Sequence, residues 1–148
     1  MSEPPARVLF VAEPPAAWHV RRPAVVDCSV MAALLWGESA AAEAAQQLID
    51  RALHAPTLLP YELANVARNK RRAGVPLEAA LAGLEALADQ RVVLHELEPQ
   101  AMARLADRHG LTAYDAAYLL LAEKLQAPLL TFDRRLADAA ARHLGGAA

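Results

Sequence analysis

The stretch Ala24-Val25-Val26-Asp27-Cys28-Ser29-Val30-Met31-Ala32-Ala33-Leu34-Leu35-Trp36 contains the pattern on which the fold turns. Its first three residues form a short apolar run that reads as a strand, ended by Asp27. Ser29 can then cap a helix from Val30 to Trp36, which Gly37 stops. The same order returns near the other end of the chain. There Pro128-Leu129-Leu130-Thr131 is a strand, and Asp133 begins a helix through Arg134-Arg135-Leu136. Two apolar strands, each followed by an acid and a helix, imply α/β architecture with a parallel sheet.

Between these two segments, short β-branched or apolar runs alternate with longer ones rich in Ala and Leu. A helix is expected from about Ser39 to Ala52, then a short strand near His54. A proline-marked turn leads into the helix holding Tyr61-Glu62-Leu63-Ala64-Asn65, which Gly74 closes. Pro76 opens the next helix, where Leu77, Leu81, Leu84 and Ala88 recur at spacings of three and four and predict one buried stripe. Val92-Val93-Leu94 reads as a strand, and Pro99 to His109 as a helix ended by Gly110. Thr112 caps a strongly apolar helix with Tyr114, Tyr118, Leu121 and Leu125 on one face, expected to be the central one.

Composition narrows the function classes. The chain has 148 residues, 55% hydrophobic and 22% charged, which suits one compact domain and excludes disorder over most of its length. Fifteen Lys and Arg against 17 Asp and Glu give a formal net charge of -2, so any nucleic-acid contact must rest on local basic charge. A single Cys excludes an internal disulfide framework and a cysteine-rich zinc site, and suits a reducing cytoplasm. No run approaches the roughly 18 apolar residues of a membrane span. Residues 1–23 read as a proline-rich N-terminal extension, with Pro4, Pro5, Pro14, Pro15 and Pro23, a possible strand at Arg7 to Val11, and no chemistry of their own. The domain proper is expected over 24–148.

Four carboxylates stand out by position: Asp27 and Asp133 directly after strands, Glu62 and Asp115 in the first turns of helices. Ligands of open parallel sheets bind outside the carboxyl ends of the strands, where such side chains can converge. Brought together, the acids repel by about 4 kcal/mol per close pair at an effective dielectric near 20, so the cluster needs protons or a cation. An all-oxygen donor set favours Mg²⁺ or Mn²⁺ over zinc, and these ions suit phosphodiester hydrolysis. Capping explains three of the acids equally well. Asp115 follows Thr112 by three residues, Asp133 is placed as an N-cap, and Glu62 suits a helix dipole. Asp27 resists that explanation, because an acid ending an apolar core strand costs stability unless paired or liganded.

The segments Val25-Val26-Asp27-Cys28-Ser29, Leu59-Pro60-Tyr61-Glu62-Leu63-Ala64-Asn65, Tyr114-Asp115-Ala116-Ala117-Tyr118-Leu119 and Leu130-Thr131-Phe132-Asp133-Arg134-Arg135-Leu136 resemble, in order, the four signature segments of PIN-domain ribonucleases. They are most similar to the VapC toxins of bacterial toxin–antitoxin pairs. The resemblance spans about residues 24 to 144. It implies a PIN-like, Rossmann-like three-layer α/β/α sandwich with a central parallel sheet, and an acidic pocket that binds Mg²⁺ or Mn²⁺ and hydrolyses single-stranded or looped RNA. Asp27, Glu62, Asp115 and Asp133 match the acidic quartet of the family; Ser29, Asn65 and Thr131 match its supporting polar positions. Cleavage to a 5′-phosphate and 3′-hydroxyl, a homodimer, and silencing by a VapB-like antitoxin are implied in the same way. The N-terminal extension departs from the pattern, since the first aspartate of these toxins normally lies near the chain start. Alternatives are a noncatalytic PIN-like binding module and a PIN nuclease of RNA processing without an antitoxin. A phosphoacceptor receiver domain lacks its paired acids and its lysine here.

For RNA, Arg68, Lys70, Arg71 and Arg72 form the strongest basic run, and Arg134 and Arg135 adjoin Asp133. Cations at a helix C-terminus serve the dipole just as well. Trp18, Trp36, Tyr61, Tyr114 and Tyr118 are candidates for base stacking, although their spacing assigns most of them to the core. Cys28 has no evident His partner and reads as a small buried side chain. His19, His54, His95, His109 and His143 are scattered and read as surface or capping residues.

Overall fold

The computed structural model describes residues 21–145, in which strands and helices alternate. In order they are β1 (Arg22–Val26), α1 (Cys28–Leu35), α2 (Ala41–Gln47), β2 (Arg51–Pro56), α3 (Leu59–Arg72), α4 (Leu77–Glu85), β3 (Val93–His95), α5 (Pro99–His109), α6 (Ala113–Leu125), β4 (Leu129–Leu130) and α7 (Arg134–Leu144). All strand pairs are parallel and the order is β3-β2-β1-β4. The chain therefore steps outward from β1 through β2 to β3, then returns to the other side of β1 to lay down β4. That reversal opens a crevice at the carboxyl ends of β1 and β4.

Helices flank the sheet as two packing groups: α1 with α2, α3 and α4, and α6 with α5 and α7. Helix α6 also lies on β1, β2 and β4 and is buried continuously from Ala116 to Ala122, as its apolar sequence predicts for a central helix. Val25, Val26, Met31, Leu59, Leu63, Tyr118 and Leu119 form the innermost core. Among the described residues no helix is long and apolar enough to cross a membrane.

Two expectations fail for identifiable reasons. Helix α2 is shorter than the predicted Ser39 to Ala52, because Arg51 and Ala52 pair with Arg22 and Pro23 of β1. Sheet pairing overrides the helix preference of alanine here. Asp50, at φ 59°, makes the turn between the two elements.

The stripe predicted over Leu77, Leu81, Leu84 and Ala88 holds only at Leu84, which packs on the core: Leu77, Leu81 and Ala88 are exposed, while Ala80 and Gly83 are buried. Trp36 explains the rotation. Its indole N–H donates to the Ala80 carbonyl at 3.2 Å, and a β-carbon at Gly83 would fall 2.3 Å from the ring. Small residues of α4 thus turn inward to admit Trp36, the residue that ends α1. The strand expected at Arg7 to Val11 lies outside the described residues.

Candidate active site

Asp27 follows the last residue of β1, where the chain turns directly into α1. It is the cap of that helix, a role predicted for Ser29: Asp27 Oδ1 accepts from the Val30 backbone N–H at 3.0 Å. Ser29 instead donates its hydroxyl to the same oxygen at 2.7 Å. Across the crevice Thr131, just after β4, donates to Asp27 Oδ2 at 2.5 Å. Each hydroxyl also fixes the loop that leads to α7. Ser29 Oγ accepts from the Phe132 N–H at 2.9 Å, and Thr131 Oγ1 from the Asp133 N–H at 2.9 Å. With 5% exposure, Asp27 is the single polar or charged side chain buried among the described residues. Burial pushes its carboxyl above the usual range, the Ser29, Thr131 and Val30 donors pull it back, and Asp133 pushes it further up.

The other three acids reach the same crevice from different elements. Pro60 sits in the first turn of α3, where its missing N–H costs nothing, and Glu62 follows in that turn. Glu62 Oε1 accepts from the Tyr118 hydroxyl of α6 at 2.6 Å. Its carboxyl is raised by burial, lowered by Tyr118, and raised again by Asp115 and Asp27. Thr112 caps α6 by accepting the Asp115 N–H at 3.1 Å, which sets Asp115 in the first turn. Its carboxyl is raised by burial, then by Asp133 and Asp27, against the opposing pull of Thr112 and Arg135. Asp133 caps α7 through the Leu136 N–H at 3.0 Å. Asp27, Glu62, Asp115 and Asp133 are therefore electrostatically coupled, although they lie far apart in sequence.

The sequence reads Tyr118 as a core or base-stacking residue and does not foresee its contact with Glu62. A tyrosine on an otherwise apolar buried face was the available signal, since a buried phenol normally finds a partner. Burial, and after it the bond to Glu62, drive the Tyr118 phenol strongly upward, so it remains a donor. Cys28 is half-buried; burial and the surrounding acids push its thiol up to about 12, far from a reactive thiolate.

The remaining polar candidates are less engaged. Asn65, one turn beyond Glu62 on α3, is exposed. Arg68, Arg71 and Arg72 are exposed along the distal part of α3, while Lys70 pairs with Glu38 at 2.8 Å and lies 5.4 Å from the Trp36 ring centroid. Arg134 is exposed, and the Arg135 guanidinium donates to the Gly110 carbonyl. An apolar groove of about 440 Å³ runs between α2 and α7 and includes Thr131 and Phe132 in its lining. None of the four crevice acids lines it.

Four of the histidines, expected to be isolated, form two pairs. His54 Nδ1 stands 2.8 Å from His95 Nε2 across β2 and β3, and His109 Nε2 stands 3.0 Å from His143 Nδ1. His143 Nε2 in turn meets Glu123 at 2.8 Å. Sequence separation hid both pairs. His19 lies outside the described residues.

The crevice offers carboxylate and hydroxyl oxygens with neither thiolate nor imidazole, the donor chemistry of a hard divalent cation. Among the described residues no three acid, histidine or cysteine side chains are grouped closely enough to hold a metal ion as they stand. A cation bound there would have to draw the carboxylates closer together, offsetting the burial and mutual repulsion that raise them. The donor types fit such an ion.

A family model described as PIN domain matches residues 24–142. The chain is 40% identical over 122 residues to "Ribonuclease VapC3" of Pyrobaculum aerophilum, covering 77% of this chain and 92% of that one. It is 34% identical over 122 residues to "Ribonuclease VapC1" of Mycobacterium tuberculosis, covering 78% and 89%. The crystal structure of PAE2754 from Pyrobaculum aerophilum superposes with a TM-score of 0.66 at 29% identity, over 80% of this chain and 85% of that one. The chain belongs to the PIN-domain family, in the group whose members are named VapC ribonucleases.

Proposed function

We propose that the protein is an endoribonuclease toxin of the VapC type that hydrolyses RNA phosphodiester bonds with Mg²⁺ or Mn²⁺. The observation carrying this reading is a group of four coupled carboxylates, at the carboxyl ends of β1 and β4 and at the starts of α3 and α6, three of them pushed toward protonation. Asp27, Glu62, Asp115 and Asp133 would hold the ion. Such an ion would supply charge neutralisation at the phosphate and a more acidic water.

The side chains of the protein do the rest. Ser29 and Thr131 fix both oxygens of Asp27, and Tyr118 fixes Glu62, so the carboxylates are oriented before substrate arrives. Asn65 lies on the Glu62 side of α3, one turn away, as a further polar group for water or phosphate. Water adds to phosphorus as the bond to the 3′-oxygen breaks, leaving a 5′-phosphate and a 3′-hydroxyl. The proton that water gives up passes through solvent to the departing 3′-oxygen, so the step balances. Arg68, Arg71, Arg72, Arg134 and Arg135 are the candidates for steering the RNA backbone, whereas Lys70 is engaged with Glu38. We further assign a cytoplasmic setting, a homodimer and a VapB-like antitoxin that covers the crevice.

The test is to incubate purified, antitoxin-free protein with total cellular RNA in Mg²⁺, Mn²⁺ or EDTA and map new 5′ ends, with Asp27→Asn prepared identically. Discrete metal-dependent cuts absent from the variant are expected. A folded protein that binds no Mn²⁺ and makes no cuts would instead be a noncatalytic module.

A further inference from the structure

The sheet ends on β4, which has β1 on one side and, among the described residues, no strand on the other. The Pro128 and Leu130 carbonyls both face β1, accepting from the Val25 N–H at 2.9 Å and the Asp27 N–H at 3.2 Å. Backbone groups alternate in direction along a strand, so the carbonyl of Leu129 faces the open side. The apolar groove of about 440 Å³ runs along that side. Leu129 and Leu130 line it together with Ala44 of α2 and Ala140, Ala141 and Leu144 of α7. Helices α2 and α7 belong to the two different groups that flank the sheet, so the groove is an open sheet edge bracketed by a helix on either side.

A strand laid in that groove meets a helix on each face, so it has to be apolar on both, without the alternation of a half-exposed strand. Residues 1–23 precede the part of the chain matched by the family model, and they hold one such run, Val8-Leu9-Phe10-Val11. Its tether suits the groove. Residues 12–21, ten in all, join Val11 to the start of β1 and can reach about 33 Å. A strand beyond β4 would lie two strand spacings, about 10 Å, from β1. Ten residues are too few for the crossover that a parallel strand needs, so the run has to lie antiparallel to β4, with Val11 at the end of the sheet where β1 begins.

We infer that residues 7–11 of this chain add to the open edge of β4 as an antiparallel strand seated between α2 and α7. Tethering gives this segment a high effective concentration at its own groove, ahead of the same segment from a second copy. Once seated, it pairs the outward carbonyl of Leu129 and covers Ala141 and Leu144, which are otherwise exposed. Thr131 and Phe132 also line the groove, so the added strand backs the loop from which Thr131 reaches Asp27.

The test is amide hydrogen exchange of the full chain, read by mass spectrometry at a low and a high protein concentration. Sedimentation and circular dichroism accompany each sample. In wild type the amides of residues 8–11 are expected to exchange about 100-fold or more slowly than in a free peptide of the same sequence, equally at both concentrations. Leu9→Asp combined with Phe10→Asp attacks the segment, and should abolish that protection and speed exchange around Leu129. Ala141→Arg attacks the groove from an exposed position on α7, and should release residues 8–11 while β1 and β2 keep their protection. Should one variant fail to fold, the other still decides. Free-peptide exchange of residues 8–11 in wild type overturns the added strand. Protection that survives in folded Ala141→Arg overturns it as well, since the segment then packs elsewhere. So does protection that rises with concentration, in an oligomer that the segment variant dissociates, because the groove then takes the segment of a second copy.

Discussion

Carboxylates of this protein live in two environments. On the outer surface Glu38 meets Lys70 and Glu123 meets His143, each at 2.8 Å, so a neighbouring cation or potential cation is supplied by the chain itself. In the crevice Asp27 and Glu62 are met by uncharged donors alone, the hydroxyls of Ser29, Thr131 and Tyr118 and the Val30 backbone N–H. Arg135 is near enough to act on Asp115, but its guanidinium is committed to the Gly110 carbonyl. Hydroxyls orient a carboxylate and satisfy its lone pairs without cancelling its charge. These surface acids are paired as they stand, whereas on the proposed reading the crevice acids take their positive charge from outside.

Asp115→Asn sharpens that contrast most. Cleavage should fall by on the order of 10³-fold, and the metal-free protein should gain about 0.5–2 kcal/mol as repulsion is relieved. The sign with pH follows from the raised carboxyls of Asp27, Glu62 and Asp115. Their folded pKa values exceed the unfolded ones, so the native state holds more protons, and their contribution to stability falls as pH rises through that window. His54 and His109 work oppositely, since burial and their partner imidazoles lower both. The difference between Asp115→Asn and wild type isolates the acids. Thermal melts in EDTA should show a larger gain near neutrality than at about pH 5, and Mn²⁺ should abolish it. Equal gains at both pH values would separate Asp115 from the cluster.

Thr131→Val removes the donor to Asp27 Oδ2 while keeping the side-chain volume. A loss of about 10–100-fold in Mn²⁺-dependent activity is expected from steady-state cleavage of a mapped substrate. Tyr118→Phe acts on Glu62 alone, with a loss of about tenfold. Without the phenol, burial pushes the Glu62 carboxyl still higher, so the acid limb of the pH–rate profile should move to higher pH. An unmoved limb would mean that Glu62 does not titrate in the rate. The smallest effect belongs to the surface: Lys70→Ala should cost less than about 1 kcal/mol in denaturant unfolding and leave cleavage unchanged. A large loss of cleavage would return Lys70 to the RNA path.

Positions in the sequence revealed much of this site because the acids end strands or begin helices, where local rules apply. Pro99 to His109, with Gly110 in the left-handed conformation after it, formed as the local signals predict. Asp27 was legible as anomalous because nothing local excuses an acid at the end of a core strand. What was not legible depends on residues brought together only by the fold. Trp36 against Gly83 turned the apolar stripe of α4 outward, and pairing with β1 claimed the residues expected to finish α2. Tyr118 with Glu62, and the two histidine pairs, join positions too distant for any spacing rule. Apolar periodicity also misled for Tyr114, which shares a predicted face with Tyr118, Leu121 and Leu125 yet is exposed in the fold.

The most direct measurement is calorimetric titration of Mn²⁺ into metal-free wild type and Asp115→Asn, in two buffers of different ionisation enthalpy near pH 6. A cluster that lacks a cation of its own and holds raised carboxyls should bind Mn²⁺ saturably and release protons as it does so. Both affinity and proton release should fall in Asp115→Asn. Absence of saturable binding in wild type, or the same affinity and proton count in the variant, would contradict a cation site formed by these four acids.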